Sequence, residues 1–217
     1  MIAGTMVAGI RRCVVGGVAV AVVLFAGCSK PVQAPVNSES STAAAAGPPR
    51  LMTAKTALWP MYKAARIWSP DVQLIGIKMR EVPGFANEGG KAAMWEATFG
   101  APSQHKYEVD TNAIVTVLPD IHKGATEGLK MPWSGTSRNA MPIELTNFVV
   151  DSDAAYQAAE TDAAAWLKKN PGKEVTAFEL GATYKFPSPV WYVAWGDVKK
   201  SGYVAVVDAT SGKVLKK

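Results

Sequence analysis

Few side chains in this sequence are of the types that carry out chemistry, and their spacing limits what they can do. The chain has two histidines, His105 and His122, and two cysteines, Cys13 and Cys28. A zinc site takes three or four His, Cys or carboxylate ligands in a recognisable spacing. These four residues do not provide such a set, so we expect no metal ion and no other cofactor.

Ser103 stands three residues before Lys106 and formally matches a Ser-x-x-Lys pattern. The acyl-transfer enzymes that use this pattern place the serine at a helix start and have partner motifs that this chain lacks. We interpret the match as a coincidence, and His105 and His122 as surface residues. A hydrolase that uses Ser103 or His105 is the weakest of three function classes considered.

The other common catalytic patterns are also missing. The chain has no Gly-x-Ser-x-Gly motif and no Gly-rich phosphate loop. The close acidic residues that we identify, Asp151 and Asp153, suit the positive end of a helix better than acid–base catalysis. The sequence therefore predicts a protein that is not an enzyme.

Residues 1–27 have the three-part order of a secretory signal peptide. Arg11 and Arg12 precede an apolar run from Val14 to Phe25, and the small residues Ala26 and Gly27 follow. The apolar run is shorter than the roughly 20 residues that a membrane-spanning helix needs. We expect export and removal of this segment, with a retained membrane anchor as the less favoured reading.

The segment Leu24-Phe25-Ala26-Gly27-Cys28 resembles the lipobox of bacterial lipoproteins, with Phe25 in place of the usual aliphatic residue. The resemblance implies that Cys28 is lipidated and becomes the first residue of an envelope lipoprotein that faces the periplasm. Cys13 lies in the removed segment and cannot form a disulfide with it. Ser29 in place of an aspartate slightly favours the outer membrane. The alternative is an ordinary signal peptide that is cut further along.

The charge of the mature chain excludes one class of partner. The whole chain has 23 basic and 18 acidic residues, and loss of Arg11 and Arg12 leaves 23 − 2 = 21 basic residues, a net charge of +3. These residues are scattered and form no basic stripe of the kind that nucleic acids need. We expect no nucleic-acid partner.

The mature chain divides into a polar segment and two similar halves. Residues 28–51 are rich in Pro, Ala and Ser and predict a flexible, lipidated tether. A first unit then covers residues 52–120, an inter-unit segment residues 121–150, and a second unit residues 151–217. Four residues of the first unit, three aromatic and one glycine, have residues of the same kind 96 positions later in the second unit. They are Trp95, Phe99, Gly100 and Tyr107, which match Trp191, Trp195, Gly196 and Tyr203.

Each half predicts one helix followed by three strands. The first helix runs from Thr53 to Trp68, with a kink or late start expected at Pro60. The second is capped by Ser152 and stops at Asn170-Pro171-Gly172. The predicted strands are 72–79, 92–99 and 107–118 in the first half, and 175–184, 190–195 and 203–207 in the second, with a short 213–215. The fold class is α+β, with one helix packed on a small antiparallel sheet in each unit.

The second unit resembles a PepSY domain over about residues 151–217. The resemblance lies in the strands 191–195 and 202–207 and in the closing turn Asp208-Ala-Thr-Ser-Gly-Lys-Val-Leu215. It implies a non-catalytic module that binds proteins or peptides, in some cases to restrain a peptidase. The first unit lacks this closing turn, so two tandem PepSY-like units are predicted from the repeat alone.

Trp133 and Arg138 are the candidate binding residues. Five of the seven tryptophans occupy repeat-equivalent or core-facing positions, which packing explains. Trp133 and Arg138 instead lie in the long inter-unit segment, and long loops are often functional. We therefore expect a lipid-anchored protein that binds a protein or peptide partner. The alternative is a structural envelope lipoprotein without a dedicated ligand.

Overall fold

The computed structural model describes residues 49–215, so Cys28 and the predicted signal peptide lie outside the described residues. The elements are α1 (Ala54–Trp68), β1 (Gln73–Arg80), β2 (Met94–Ala101), β3 (Lys106–Ala113), β4 (Gly124–Thr126), β5 (Met131–Pro132), α2 (Ser152–Lys169), β6 (Val175–Gly181), β7 (Val190–Trp195) and β8 (Tyr203–Asp208). Neither of these two helices is long and apolar enough to span a membrane.

All eight strands form one antiparallel sheet, which confirms the mixed helix and sheet composition expected from the sequence. The strand order is β4-β3-β2-β1-β6-β7-β8, and β5 also pairs with β3. We expected a small sheet in each half. Instead β1 pairs with β6 and joins the two halves. The first strand of each half would otherwise have an edge of unpaired backbone N–H and C=O groups, and this pairing satisfies both edges.

The helix-strand-strand-strand order occurs twice, and several local features repeat with it. The pairing of β1 with β2 shifts register between Leu74 and Gly76, and that of β6 with β7 shifts between Val175 and Ala177. The Trp95 indole donates a hydrogen bond to the Met52 carbonyl (2.9 Å). The Trp191 indole donates to the Val150 carbonyl (3.0 Å). Each carbonyl lies two residues before the helix of its half.

The predicted match of Tyr107 with Tyr203 is wrong by one residue. Tyr203 lies opposite Trp195, whereas the residue opposite Phe99, the counterpart of Trp195, is Glu108. Four residues connect β2 to β3, but seven connect β7 to β8. A connection of different length sets a different register, and a shift of one residue turns every side chain to the other face.

Helix α1 begins at Ala54 and includes Pro60, so it does not start late. A proline removes one backbone hydrogen bond, here to the carbonyl of Thr56. Thr56 and Pro60 are both exposed, so water can satisfy that carbonyl. The buried face of the helix, which is formed by Ala54, Ala57, Leu58, Met61 and Ala65, is unaffected.

The strand predictions differ from the structure mainly at their ends. The third predicted strand extends to Leu118, but β3 ends at Ala113. The predicted strand at residues 213–215 is a single bridge between Val207 and Val214.

The two helices meet at their N-terminal ends. We expected Ser152 to cap α2, but the cap is Asp151, whose Oδ1 accepts from the Ser152 N–H at 2.7 Å. The same oxygen accepts from the N–H of Lys55 at 3.0 Å, and the buried Ser152 Oγ accepts from the N–H of Ala54 at 2.9 Å. These residues of α2 therefore satisfy the first free N–H groups of α1.

One core fills the helix-covered face of the sheet across both halves. The Trp95 and Trp191 ring centroids are 6.2 Å apart, and Phe178 lies 5.0 Å from Trp191. Trp95, Trp191 and Trp195 are buried, and Trp68 and Trp166 pack at the margin of the same core. Packing therefore explains these five tryptophans.

Asp151→Ala should lower the free energy of unfolding by about 1–3 kcal/mol, because it leaves N–H groups at two helix ends without their acceptor. Urea unfolding of residues 29–217 measures the change. Asp153→Ala is the matched control, since Asp153 is partly exposed and, among the described residues, accepts only from the N–H of Ala154. Equal losses in the two variants would contradict the shared capping role.

Candidate functional site

A groove lies where β1 and β6 separate. These strands pair at Gly76, Ile77 and Lys78, and their pairing ends at Lys78 and Glu179. Beyond that point β6 residues 175–178 pair only with β7 within the described structure. The gap holds a groove of about 720 Å³, within the size range of ligand sites.

Aromatic side chains form the floor of the groove. Phe178 and Trp195 are almost fully buried beneath it, and Tyr156 of α2 stands at one side. The Tyr156 and Trp195 ring centroids are 6.2 Å apart. The Tyr156 hydroxyl donates to Glu160 (3.0 Å), and burial, followed by that carboxylate, raises the pKa of Tyr156 to about 12. A neutral aromatic floor suits apolar side chains of a ligand.

The connection between β1 and β2, residues 81–93, forms the opposite wall. Glu88 and Lys91 exchange two backbone hydrogen bonds around Gly89 and Gly90, both with positive φ, as in a type I′ turn. A side chain at Gly90 would collide with the Ser152 carbonyl, so this turn packs directly on the start of α2. The wall is thus fixed to a helix.

The rim of the groove is charged and open to solvent. It carries three acidic and two basic side chains: Glu81, Glu88, Glu174, Lys91 and Lys173. Acidic and basic side chains therefore both lie next to the open edge of β6. The groove can therefore contact a polar backbone at its rim and apolar side chains at its floor.

Trp133 lines a second cavity, of about 450 Å³, on the other face of the sheet. Its ring lies against Gly100, where an added Cβ would come within 2.6 Å of it. Its N–H donates to the carbonyl of His105 (2.9 Å), and His105 and Gln73 also line the cavity.

Arg138 does not line that cavity. Its guanidinium lies 4.3 Å from the centroid of the Tyr184 ring, and its carbonyl accepts from the N–H of Tyr184 at 2.7 Å. The two candidate residues from the sequence therefore occupy different surroundings.

Ser103 and His105 do not form a nucleophile and base. The Ser103 hydroxyl donates to Asp71 Oδ1 (2.9 Å), and its N–H donates to Oδ2 (2.8 Å). His105 ends the one-turn helix at Pro102–Gln104 in a left-handed conformation, with φ of 51°. Ser69 and Ser103 lower the pKa of Asp71 through their hydrogen bonds, so this carboxylate stabilises the turn.

A buried acidic pair lies on β3 beneath α1, and it was missed in the sequence. Glu108 and Asp110 are 0% and 1% exposed, and Asn112 on the same face donates to the carbonyl of Ala57. The alternation along β3 predicts that Glu108 and Asp110 face solvent, because Tyr107 and Val109 occupy the positions on the opposite face. The register set by the short connection to β2 places the acids inside instead.

Lys130 closes over this acidic pair. Its ammonium lies 2.7 Å from Glu108 and 2.9 Å from Glu127, and 5.4 Å from the centroid of the Trp68 ring. Burial alone would lower the Lys130 pKa, but the hydrogen bonds and charges of Glu108 and Glu127 raise it. The second oxygen of Glu108 has no hydrogen-bond partner among the described residues.

The burial of Asp110 is less well compensated by hydrogen bonds and charges than that of Glu108. Its Oδ1 accepts from the N–H of Gly128 (3.0 Å), but its Oδ2 has no partner among residues 49–215. Burial raises the pKa of Asp110 to about 7; the Gly128 hydrogen bond opposes the shift and the charge of Glu108 adds to it. Asp110 therefore carries a proton in part of the molecules at neutral pH.

Comparison with known proteins gives no further assignment: no family model, curated protein or solved structure matches this chain. Within residues 49–215, no three His, Cys, Asp or Glu side chains come together as a metal site. The candidate sites are therefore judged from their own geometry.

Asp110→Asn should change how stability depends on pH. A raised folded pKa contributes stability below the ordinary pKa of 3.8, and this contribution is lost as the pH rises to about 7. Because Asn stays neutral, the variant should lose stability less steeply than the native chain between about pH 5 and pH 8. Denaturant unfolding at both pH values measures this. If the variant and the native chain lost stability equally with rising pH, the assigned burial of Asp110 would be contradicted.

The control is Asp208→Asn. Burial opposes ionisation of Asp208, but its hydrogen bonds from Ser211 and Thr210 lower its pKa overall. Its contribution is therefore lost only as the pH falls below the ordinary 3.8, outside the tested range. This variant should keep the native slope.

Proposed function

We propose that this protein is a lipid-anchored envelope protein that binds an extended peptide segment of a partner protein. The groove between β1 and β6 is the observation that supports it. The edge of β6 at residues 175–178 is open there, above buried aromatic rings. A peptide can add to such an edge through its backbone and place alternate side chains on the floor.

The proposal includes no catalytic step. Ser103 and His105, the candidate nucleophile and base from the sequence, are part of a turn. The buried acids lie beneath α1, away from the groove, and do not line it. Recognition of a ligand is therefore the mechanism that the geometry supports best.

We further propose that the two halves are PepSY-like units that share one sheet. The equivalent register shifts on β1 and β6 and the equivalent indole-to-carbonyl bonds of Trp95 and Trp191 support this. The peptide groove would then lie at the junction of the two units, and neither unit alone would contain both of its walls.

The binding proposal predicts an effect of filling the groove. Peptides selected from a random display library on immobilised residues 29–217 should bind, and should slow amide exchange at residues 175–178. Ala86 is exposed and lines the groove, so Ala86→Trp should occupy its volume and weaken binding at least about tenfold, or about 1.4 kcal/mol.

Ala164→Trp is the matched control, because Ala164 is also exposed but lies on α2, away from the β6 edge, and does not line the groove. It should bind as the native chain does. Equal affinity in the Ala86→Trp variant, or protection confined to the Trp133 cavity, would contradict the proposed site. If no peptide is selected, the structural lipoprotein without a ligand becomes the better reading.

The anchoring proposal rests on Cys28 and is tested separately. In membranes of a bacterial host, the native chain should begin at residue 28 and carry a diacylglycerol thioether, whereas Cys28→Ala should retain residues 1–27. Mass spectrometry of the N-terminal peptide measures both. An unmodified Cys28, or an N-terminus further along the chain, would refute the lipid anchor and leave the groove proposal unaffected.

A further inference from the structure

The outer faces of the two helices differ in charge. Helix α1 has no acidic residue between Ala54 and Trp68, and its exposed basic side chains are Lys63 and Arg66. Helix α2 carries acidic residues along its length: Asp153, Glu160 and Asp162. If the two helices served only to cover the sheet, no such difference would be needed.

The outer face of α1 also exposes large apolar side chains. Trp59, in the middle part of the helix, is 50% exposed, and Ile67, in its last turn, is 89% exposed. No large apolar side chain of α2 is exposed to this degree in the described structure. Trp59, Lys63, Arg66 and Ile67 are spaced i, i+4, i+7 and i+8, so they share one face of the helix.

The neighbouring connection between β4 and β5 adds to this surface. Leu129 is 81% exposed and precedes Lys130, whose ammonium lies over the ring of Trp68 at the end of α1. Of the nearby acids, Glu108 and Glu127 both pair with Lys130, while Asp71 accepts hydrogen bonds from Ser69 and Ser103 and keeps its negative charge. Within the described residues, Lys63 and Arg66 form no salt bridge, so the positive charge available to a partner lies on the outer face of α1 itself.

We propose that this face of α1, formed by Trp59, Lys63, Arg66 and Ile67, binds the surface of an anionic lipid bilayer. Basic side chains attract anionic headgroups, while a tryptophan and an aliphatic side chain enter the boundary between headgroups and acyl chains. An acidic protein partner would use the two cations, but it would not require isolated apolar side chains at both ends of the stripe. The inference does not depend on lipidation of Cys28 or on the peptide groove.

The test uses residues 29–217, which contain every described element and lack the lipidated cysteine. Cosedimentation should show binding to vesicles of phosphatidylcholine and phosphatidylglycerol in equal parts, and little binding to phosphatidylcholine alone. Binding should weaken as salt is added, since salt screens exposed charges. Equal binding to both vesicle types, or to neither, would overturn the proposal.

Two variants with the same change in net charge separate this surface from general attraction. Replacing both Lys63 and Arg66 with Gln should weaken vesicle binding roughly thirtyfold, because this is the loss expected when the attraction of two basic residues to an anionic membrane is removed. Neutralising Lys168 and Lys169 to Gln, in the last turn of α2, should leave binding unchanged. Equal losses of vesicle binding in the two double variants would overturn the proposal.

The apolar contribution is tested by Ile67→Asn. Because Ile67 is almost fully exposed, this change should leave the thermal unfolding temperature unchanged. It should lower vesicle binding at least threefold, including at salt concentrations that already screen the charges. Unchanged binding would show that a purely electrostatic contact is present and would overturn insertion of this face.

Discussion

The fold depends on the backbone pairing of β1 with β6. Three residue pairs, from Gly76↔Gly181 to Lys78↔Glu179, join two similar halves into one sheet. Because the sheet is continuous, Trp95 and Trp191 meet in one core, and the ends of α1 and α2 come close enough for Asp151 and Ser152 to cap both helices. A single core buries more apolar surface than two small ones could.

The short extent of this pairing also creates the groove. If β1 and β6 paired along their whole length, the edge of β6 at residues 175–178 would be occupied. Their separation leaves that edge open above Phe178 and Trp195, which the core holds in place. The interaction that unites the halves thus stops short of the proposed peptide site, so the pairing of the halves and the proposed recognition would use different parts of the same two strands.

The two halves differ in what they place at equivalent positions. On β8, Tyr203 and Ala205 contribute to the core, whereas their counterparts on β3 are Glu108 and Asp110. Burying two carboxylates is costly, and Lys130 with the N–H of Gly128 offsets only part of that cost. The outer faces of the helices differ as well, with a basic face on α1 and acidic residues on α2. The second half therefore has packing residues on β8 where the first half buries carboxylates on β3, and the two helices carry charges of opposite sign.

The sequence by itself determined both helices, six long strands and the core tryptophans, because apolar periodicity and turn residues act over short distances. It did not determine that the halves share a sheet, since pairing between residues about a hundred positions apart leaves no local pattern. Nor did it place Glu108 and Asp110 inside, because the face of β3 depends on the length of its connection to β2. The groove likewise belongs to the tertiary structure alone: its lining residues come from α2, three strands and two connections, and only the packing of these elements brings them together.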